Sequence, residues 1–216
     1  MDRQNNTNLT LKTYERIRKM LLDYELSPGQ RLIFVDLAKK LEVSRTTVNN
    51  ALSILANQGF IDFIPNQGYR VHEITKDEMD SIYEIRIFLE LGAIDKVMTY
   101  ITAQDIKVLK QHKEEYESNA LEGVSRKSFI INEQYHFCYI DMANNRYLNE
   151  YFKELNQRVY VRHRVEGYEK KRTLEVIKEH DAIFNAIKHG NKRLAKKAII
   201  NHILSAKKYI YKHLFT

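Results

Sequence analysis

Apolar residues recur at spacings of three and four between residues 35 and 58, which predicts two short helices joined by a tight turn. Leu37, Ala38 and Leu41 give the first helix one apolar face. The second helix is predicted to begin at Ser44, because its hydroxyl can accept from the unpaired amides of a first turn. Two helices joined by so short a corner are typical of a helix-turn-helix. The predicted buried face of the second helix comprises Val48, Ala51, Leu52 and Leu55.

After Gly59 the pattern changes to the alternation typical of strands. Residues 60–64 and 69–72 are predicted to pair across a turn at residues 65–68, which contains proline and glycine. Two helices followed by such a hairpin form a winged helix-turn-helix, so the predicted partner is double-stranded operator DNA. The residues predicted to contact DNA lie at the start of the second helix and in the wing: Ser44, Arg45, Thr46, Thr47, Asn49, Asn50, Gln67, Gly68 and Arg70.

Some of these residues have a second interpretation. A cation at a helix N-terminus opposes the helix dipole, so Arg45 favours a phosphate or base partner over a solvated position. Ser44 can act as a cap alone, and Thr46 and Thr47 can be exposed first-turn residues without a role in binding.

The rest of the chain has helical periodicity and contains no proline, since Pro28 and Pro65 both precede it. Turn and capping signals at 102, 123–125, 144–145, 167–171 and 190–191 divide it. The chain is therefore predicted to be mainly α, with a winged domain over 1–72, a linker at 73–75 and an all-α bundle over 76–216. The six predicted helices of the bundle are 76–100, 103–119, 126–143, 146–164, 173–189 and 191–214.

Composition agrees with this assignment. A net charge of +7 and a pI near 9.3 favour association with a polyanion. The single cysteine, Cys138, excludes an internal disulfide, favours a reducing compartment and is predicted to be an inert buried thiol. No apolar run approaches the ~20 residues that span a bilayer, and the N-terminus is polar. We therefore expect a cytoplasmic protein without a membrane partner.

Three of the eight histidines, His136, His180 and His202, share helix faces with apolar residues. His180 precedes the turn at residues 190–191 by about as many residues as His202 follows it. At ~1.5 Å per residue, two antiparallel helices hinged there would bring both rings to one level. Asn132 lies one turn before His136 on a third helix. These four residues are a predicted divalent metal site, with zinc or nickel favoured; the alternative is that the histidines are buried core residues.

Three segments of the first third resemble the DNA-binding domain of the GntR family of bacterial transcriptional regulators: TYERIRKMLLDYELSPGQRL, DLAKKLEVSRTTVNNAL and NQGFIDFIPNQGYRV. The resemblance implies a dimeric repressor or activator whose affinity for an operator changes when a metabolite binds. It also implies a short first strand after Pro28. That family usually has proline, arginine and glutamate where Thr47, Asn49 and Asn50 stand. Because asparagine pairs with adenine edges and arginine with guanine, we expect an operator core rich in A·T pairs.

The helical region is similar to the FCD ligand-binding domain. The similarity lies in an R-x3-E segment that begins at Arg86, the spacing of Asn132 and His136, the segment EHDAIFNAI at residues 179–187, and His202. The resemblance implies a small carboxylate effector beside a metal that an aspartate and three histidines hold. Here Asn132 replaces the aspartate, which removes one negative ligand. Arg86 is predicted to bind the effector carboxylate or, equally, to pair with Glu90.

Two other functions stay open on sequence: a metal sensor, in which the ion itself is the signal, and a three-histidine zinc hydrolase. The hydrolase is disfavoured because the chain has no HExxH motif and because Glu133 and Glu179 are predicted to point away from the site. We therefore predict a regulator and not an enzyme.

Overall fold

The computed structural model describes residues 2–122, 126–162 and 169–215. Its backbone contacts separate a compact unit of Met1–Ile74, with which residues 158–162 cluster, from a second compact unit that begins at Thr75. We call these the winged unit and the helical unit. The predicted breaks at 123–125 and in the first part of 167–171 lie outside the described residues. Within the described residues, no helix is long and apolar enough to cross a membrane.

The winged unit combines three helices with a small antiparallel sheet. Its strands lie in the order β1-β3-β2, and Phe63 on β2 is paired with Tyr69 on β3. The mainly α winged fold and the short first strand are thus as predicted. The elements are α1 Asp2–Leu22, β1 Arg31–Leu32, α2 Phe34–Leu41, α3 Arg45–Asn57, β2 Ile61–Ile64 and β3 Gly68–Val71.

Helix α1 has no counterpart among the helices predicted from periodicity. Tyr14, Ile17 and Leu21 lie on one face of α1, and they are buried in the same core as Leu52 and Leu55 of α3. Because the first ten residues are almost all polar, the apolar pattern covers only the second half of this helix. The missed helix therefore contributes one whole side of the winged core.

Helix α3 begins and ends as its sequence predicts. Ser44 is the N-cap residue, and its hydroxyl accepts a hydrogen bond from the Thr47 amide at 3.1 Å. After the helix, Gly59 has a φ of +74°, a left-handed conformation that glycine adopts without strain. The capping serine therefore sets where the exposed tip of the helix starts, and the glycine sets where the wing begins.

The helical unit contains six helices in its described residues, close to the six that were predicted. Helix α4 packs against α6 and α9, α5 packs against α6 and α8, and α8 packs against α9. Helix α5 runs three residues past its predicted end because Asn119 and Ala120 are buried, and α8 begins earlier because Arg172 in its first turn is buried and paired. The helices are α4 Lys76–Tyr100, α5 Ala103–Glu122, α6 Arg126–Asp141, α7 Arg146–Arg162, α8 Lys170–Lys188 and α9 Lys192–Leu214.

Candidate functional site

Helices α6, α8 and α9 bring His136, His180 and His202 together inside the helical unit. The three side chains are 0%, 0% and 3% exposed, in that order. Ring centroids are 4.7 Å apart for His136 and His202, 5.0 Å for His180 and His202, and 5.4 Å for His136 and His180. One ring nitrogen from each residue lies within 4.8 Å of the other two. The convergence expected from their spacing is therefore present.

Two carboxylates, the buried Glu90 and the half-buried Glu179, orient two of these rings. Glu90 Oε2 lies 3.1 Å from His136 Nδ1, and Glu179 Oε2 lies 2.7 Å from His202 Nδ1. A carboxylate on Nδ1 favours the tautomer with its proton there, which leaves the Nε2 lone pair to bind a metal. At zinc sites, a histidine that binds the metal through one ring nitrogen commonly donates a hydrogen bond from the other nitrogen to a carboxylate.

Several ring nitrogens are left without hydrogen-bond partners. Among the described residues, nothing pairs with His136 Nε2 or with either nitrogen of His180, although all three atoms are buried. Unpaired buried polar atoms are costly and uncommon, so their concentration in one cluster calls for a bound group. Three imidazole nitrogens at this separation fit a divalent ion such as zinc or nickel.

The protonation of the cluster also fits metal binding. Burial lowers the pKa of His180 well below its usual value, and the nearby imidazoles and arginines lower it further. Burial lowers the pKa of His202 to about 4, although its hydrogen bond with Glu179 acts in the opposite direction. Both rings are therefore neutral at pH 7, and neutral imidazole is the form that ligates metals.

Aromatic side chains hold the His180 ring in place. The ring of Tyr135 stacks on it with centroids 4.3 Å apart, and the Tyr135 hydroxyl donates to the backbone carbonyl of His180 at 3.1 Å. Tyr116 contacts the same imidazole with centroids 4.8 Å apart. The ring thus has a fixed orientation although its nitrogens have no hydrogen-bond partner among the described residues.

Asn132 is less well placed than the histidines. It is half-buried, and its amide nitrogen donates to Glu133 Oε1 at 3.3 Å. The contacts place it one turn from His136 beside a carboxylate, and its ligation of a metal stays a prediction.

Arg86 forms the intrahelical ion pair that was one of its two predicted roles. Its Nε donates to Glu90 Oε1 at 2.7 Å, and both side chains are buried. Burial alone would raise the pKa of Glu90, but His136 and Arg86 together hold it well below its usual value. Tyr139 also donates to Glu90 Oε2. Since Arg86 Nη2 has no partner among the described residues, the guanidinium keeps capacity for a second anion.

One expectation about the carboxylates is wrong. Glu179 was expected to point away from the site, yet it contacts His202 and forms two hydrogen bonds with Arg172, at 2.7 and 2.9 Å. Arg172 and Glu179 are two helical turns apart, so the pair lies along one face of α8 and that face turns toward α9. The seven-residue spacing of Arg172 and Glu179 was the sequence signal for this pair.

The predicted DNA-reading residues of α3 lie mostly at its exposed tip. Arg45, Thr46, Asn49 and Asn50 are exposed, whereas Thr47 is only 3% exposed. The hydroxyl of Thr47 lies 2.8 Å from that of Ser44, so this threonine completes the cap and does not present its side chain to a partner. Its predicted DNA contact is therefore corrected.

In the wing, Gln67 and Arg70 are exposed at the turn and on β3. Gly68 between them has a φ of +84°, which a side chain would strain. The glycine is thus required by the turn, and the exposed side chains beside it form the accessible edge of the wing.

Cys138 is a buried free thiol on α6. Burial and the nearby carboxylates Asp141 and Asp105 raise the pKa of the thiol to about 12. Because the thiolate is the reactive form, this cysteine is not a nucleophile at neutral pH, as its sequence context predicted.

A DNA-reading winged helix followed by a histidine-containing helical bundle defines a two-domain transcriptional regulator. Residues 9–71 match the family described as bacterial regulatory proteins, gntR family, and residues 81–205 match the FCD domain. The chain therefore belongs to the gntR-family regulators that carry an FCD domain, as its sequence motifs predicted.

Known proteins agree with this assignment. The chain is 27% identical to the HTH-type transcriptional regulator YdhC of Bacillus subtilis, over 89% of this chain and 86% of that protein. It is 29% identical to the HTH-type transcriptional regulator McbR of Escherichia coli, over 69% and 68% of the two chains. The solved structure of E. coli McbR/YncC has a TM-score of 0.79 at 25% identity and covers 95% of this chain and 98% of its own. These relatives are transcription regulators and not enzymes.

Proposed function

We propose that this regulator binds operator DNA as a homodimer through the winged unit, and that a small carboxylate bound in the helical unit changes its affinity for that DNA. The proposed domains are residues 1–72 for DNA and 76–216 for effector and dimerisation, with 73–75 as the linker. The supporting observation is a group of buried nitrogens on His136, His180 and Arg86 for which the described part of the chain offers no hydrogen-bond partner. A metal held there would supply a positive charge for an anion.

In this proposal the exposed tip of α3 reads base edges while the wing contacts the backbone. Arg45 would contact a phosphate or a guanine, and Asn49 and Asn50 would contact adenines, a role that the exposure of all three supports. A two-fold dimer would present two such tips to half-sites about 34 Å apart, or at a related spacing. Ser44, Thr46, Gln67, Gly68 and Arg70 are proposed to complete the contact surface.

Selection of bound duplexes from a random pool is expected to return half-sites rich in A·T pairs, because the exposed residues of α3 that would read the bases include two asparagines.

With a selected duplex, Arg45→Ala is expected to weaken binding about 10- to 100-fold, which is the effect of losing a good base or phosphate contact. Fluorescence anisotropy at fixed salt measures both affinities. Half-sites dominated by G·C pairs would contradict the proposed reading of adenine.

Arg193→Ala is the matched control for Arg45→Ala, since it removes the same charge from an exposed position of the helical unit. Its affinity is expected to stay within about twofold of the native value, because an exposed charge outside the proposed contact surface adds little at moderate ionic strength. An equal loss in the two variants would show that Arg45 acts through net charge alone.

The effector proposal is tested by operator affinity in four conditions: chelator-treated or zinc-loaded protein, each with and without a panel of small carboxylates. A ligand changes the affinity for DNA only if it binds the DNA-competent conformation and the DNA-incompetent conformation with different affinities. We expect at least one carboxylate to shift the operator dissociation constant, and to do so more strongly with zinc. If no carboxylate shifts it under either condition, the proposal fails.

The same histidine cluster supports a second candidate, a metal sensor, because an ion binding the three rings could itself stabilise one packing of α6, α8 and α9. In that case zinc alone would shift operator affinity and carboxylates would add nothing. The four conditions above separate the two functions.

A further inference from the structure

Three buried polar atoms near the histidine cluster have no hydrogen-bond partner among the residues described. They are Arg86 Nη2, Glu133 Oε2 and Asn156 Oδ1. One is a cationic donor and two are acceptors, of which one is negatively charged. None belongs to the three histidines, so a metal ion on those rings would leave all three atoms unpaired.

Their side chains come from α4, α6 and α7, and Arg86 contacts a residue of each of the other two helices. Arg86 Nη1 on α4 lies 3.5 Å from Glu133 Oε1 on α6, and the guanidinium carbon lies 5.8 Å from the ring centroid of Phe152 on α7. Asn156 follows Phe152 by one helical turn and therefore lies on the same face of α7. Arg86 and Asn156 are 4% and 8% exposed, so the group is built into the bundle.

This group lies close to the candidate metal centre. Arg86 precedes Glu90 by one turn on α4, and Glu133 precedes His136 by nearly one turn on α6, while Glu90 contacts His136 at 3.1 Å. One turn of helix rises ~5.4 Å, so Arg86 and Glu133 lie about one turn from Glu90 and His136 along their own helices. The Glu133 side chain is 27% exposed, which gives the group a side open to solvent.

Without a metal ion, the charges around the site disfavour a bare anion at this group; with a divalent ion on the histidines, the unpaired acceptors alone disfavour it. Arg86 and Arg172 supply two positive charges, whereas Glu90, Glu133 and Glu179 supply three negative ones. A simple carboxylate would neutralise Arg86 Nη2 but would leave the Glu133 and Asn156 oxygens without donors. A buried acceptor without a donor costs about 1–3 kcal/mol, equivalent to a loss of about 5- to 150-fold in affinity.

We propose that the group recognises a small amino acid. Its carboxylate accepts from Arg86, and its ammonium donates to Glu133 Oε2 and Asn156 Oδ1, so the zwitterion pairs all three atoms and adds no net charge. This inference rests on the proposed function, because it gives the chemical class of the effector that the helical unit binds.

The test compares L-alanine, L-lactate and propionate, which share a three-carbon acid skeleton and carry an ammonium, a hydroxyl or a hydrogen at the α carbon. Titration calorimetry on the full-length, zinc-loaded protein measures each affinity. We expect alanine to bind about 10- to 100-fold more tightly than propionate, with lactate between them, because a hydroxyl gives one donor without charge. Lactate binding more tightly than alanine would replace the amino acid with a hydroxy acid and overturn the proposal.

Glu133→Gln keeps the shape of the side chain and removes its charge. It is expected to reduce the ratio of alanine to propionate affinity at least about tenfold while zinc still binds. Glu84→Gln makes the same change at an exposed position of α4 and is expected to keep the native ratio. If Glu133→Gln fails to fold, the affinities of the native chain for alanine, lactate and propionate still test the inference.

Propionate binding as tightly as alanine would overturn the inference, as would a lack of binding by all three acids or an unchanged ratio in Glu133→Gln. These outcomes differ from failure of the proposed function. A regulator whose operator affinity responds to other carboxylates, without preference for an amino group, keeps that function and loses only this ligand class.

Discussion

His180→Ala is expected to abolish the stabilisation that zinc gives to the native chain. At a free zinc concentration about 1,000 times the dissociation constant, binding to the folded state alone raises the free energy of unfolding by about 4 kcal/mol. His180 supplies a buried nitrogen without another partner among the described residues, and its loss leaves two imidazoles, fewer than a protein zinc site needs. Thermal unfolding with and without zinc, followed by far-UV circular dichroism, measures the difference within each variant.

His189→Ala is the control, because His189 is exposed at the end of the same helix. That variant is expected to keep the full zinc effect. Because each variant is compared with its own metal-free form, the cavity left by His180→Ala does not enter the comparison. Equal stabilisation of His180→Ala and the native chain, or none in either, would show that the three rings are core residues without a metal.

Glu90→Ala is expected to lower the stability of the metal-free helical unit by about 3–5 kcal/mol. Glu90 is 0% exposed and accepts from Arg86, and it also contacts His136 and Tyr139. Without it, the carboxylate that remains beside the buried guanidinium among the described residues is Glu133, whose nearest oxygen is 3.5 Å away. Urea unfolding in the presence of a chelator, read through the transition of the helical unit, gives the loss.

Glu84→Ala changes an exposed glutamate of the same helix and is expected to stay within about 0.5 kcal/mol of the native value. The pair of variants therefore separates the buried ion pair from helix propensity, which both substitutions change equally. A loss below about 1 kcal/mol for Glu90→Ala would mean that solvent or a rearranged neighbour compensates Arg86.

Much of the fold was predictable because its signals are local. Helix starts at Ser44 and Thr102 depend on a hydroxyl and an amide three residues later, and both hydrogen bonds are present. The convergence of His180 and His202 followed from equal distances to one turn. Helix α1 was missed because its first half is polar, so its apolar face is too short to be recognised without knowing what it packs against.

The partners of the site residues could not be derived in the same way. Periodicity gives the direction of a side chain from its own helix, but Glu90 and His136 are 46 residues apart and meet only after α4 packs on α6. For the same reason Glu179 was expected to face away from the rings. Thr47 was misjudged for a local reason, since its first-turn position allows either exposure or a hydroxyl contact with the capping serine.

Glu90 uses one oxygen for Arg86 and the other for His136, so a single side chain links the place where an acid would bind to the place where a metal would bind. Under the proposed function, this sharing couples the two sites, and any such coupling is reciprocal. The factor by which zinc tightens the acid must equal the factor by which the acid tightens zinc. Abundant acid would then compensate for scarce metal, and abundant metal for scarce acid. The occupied fraction of the regulator would therefore depend on both concentrations together.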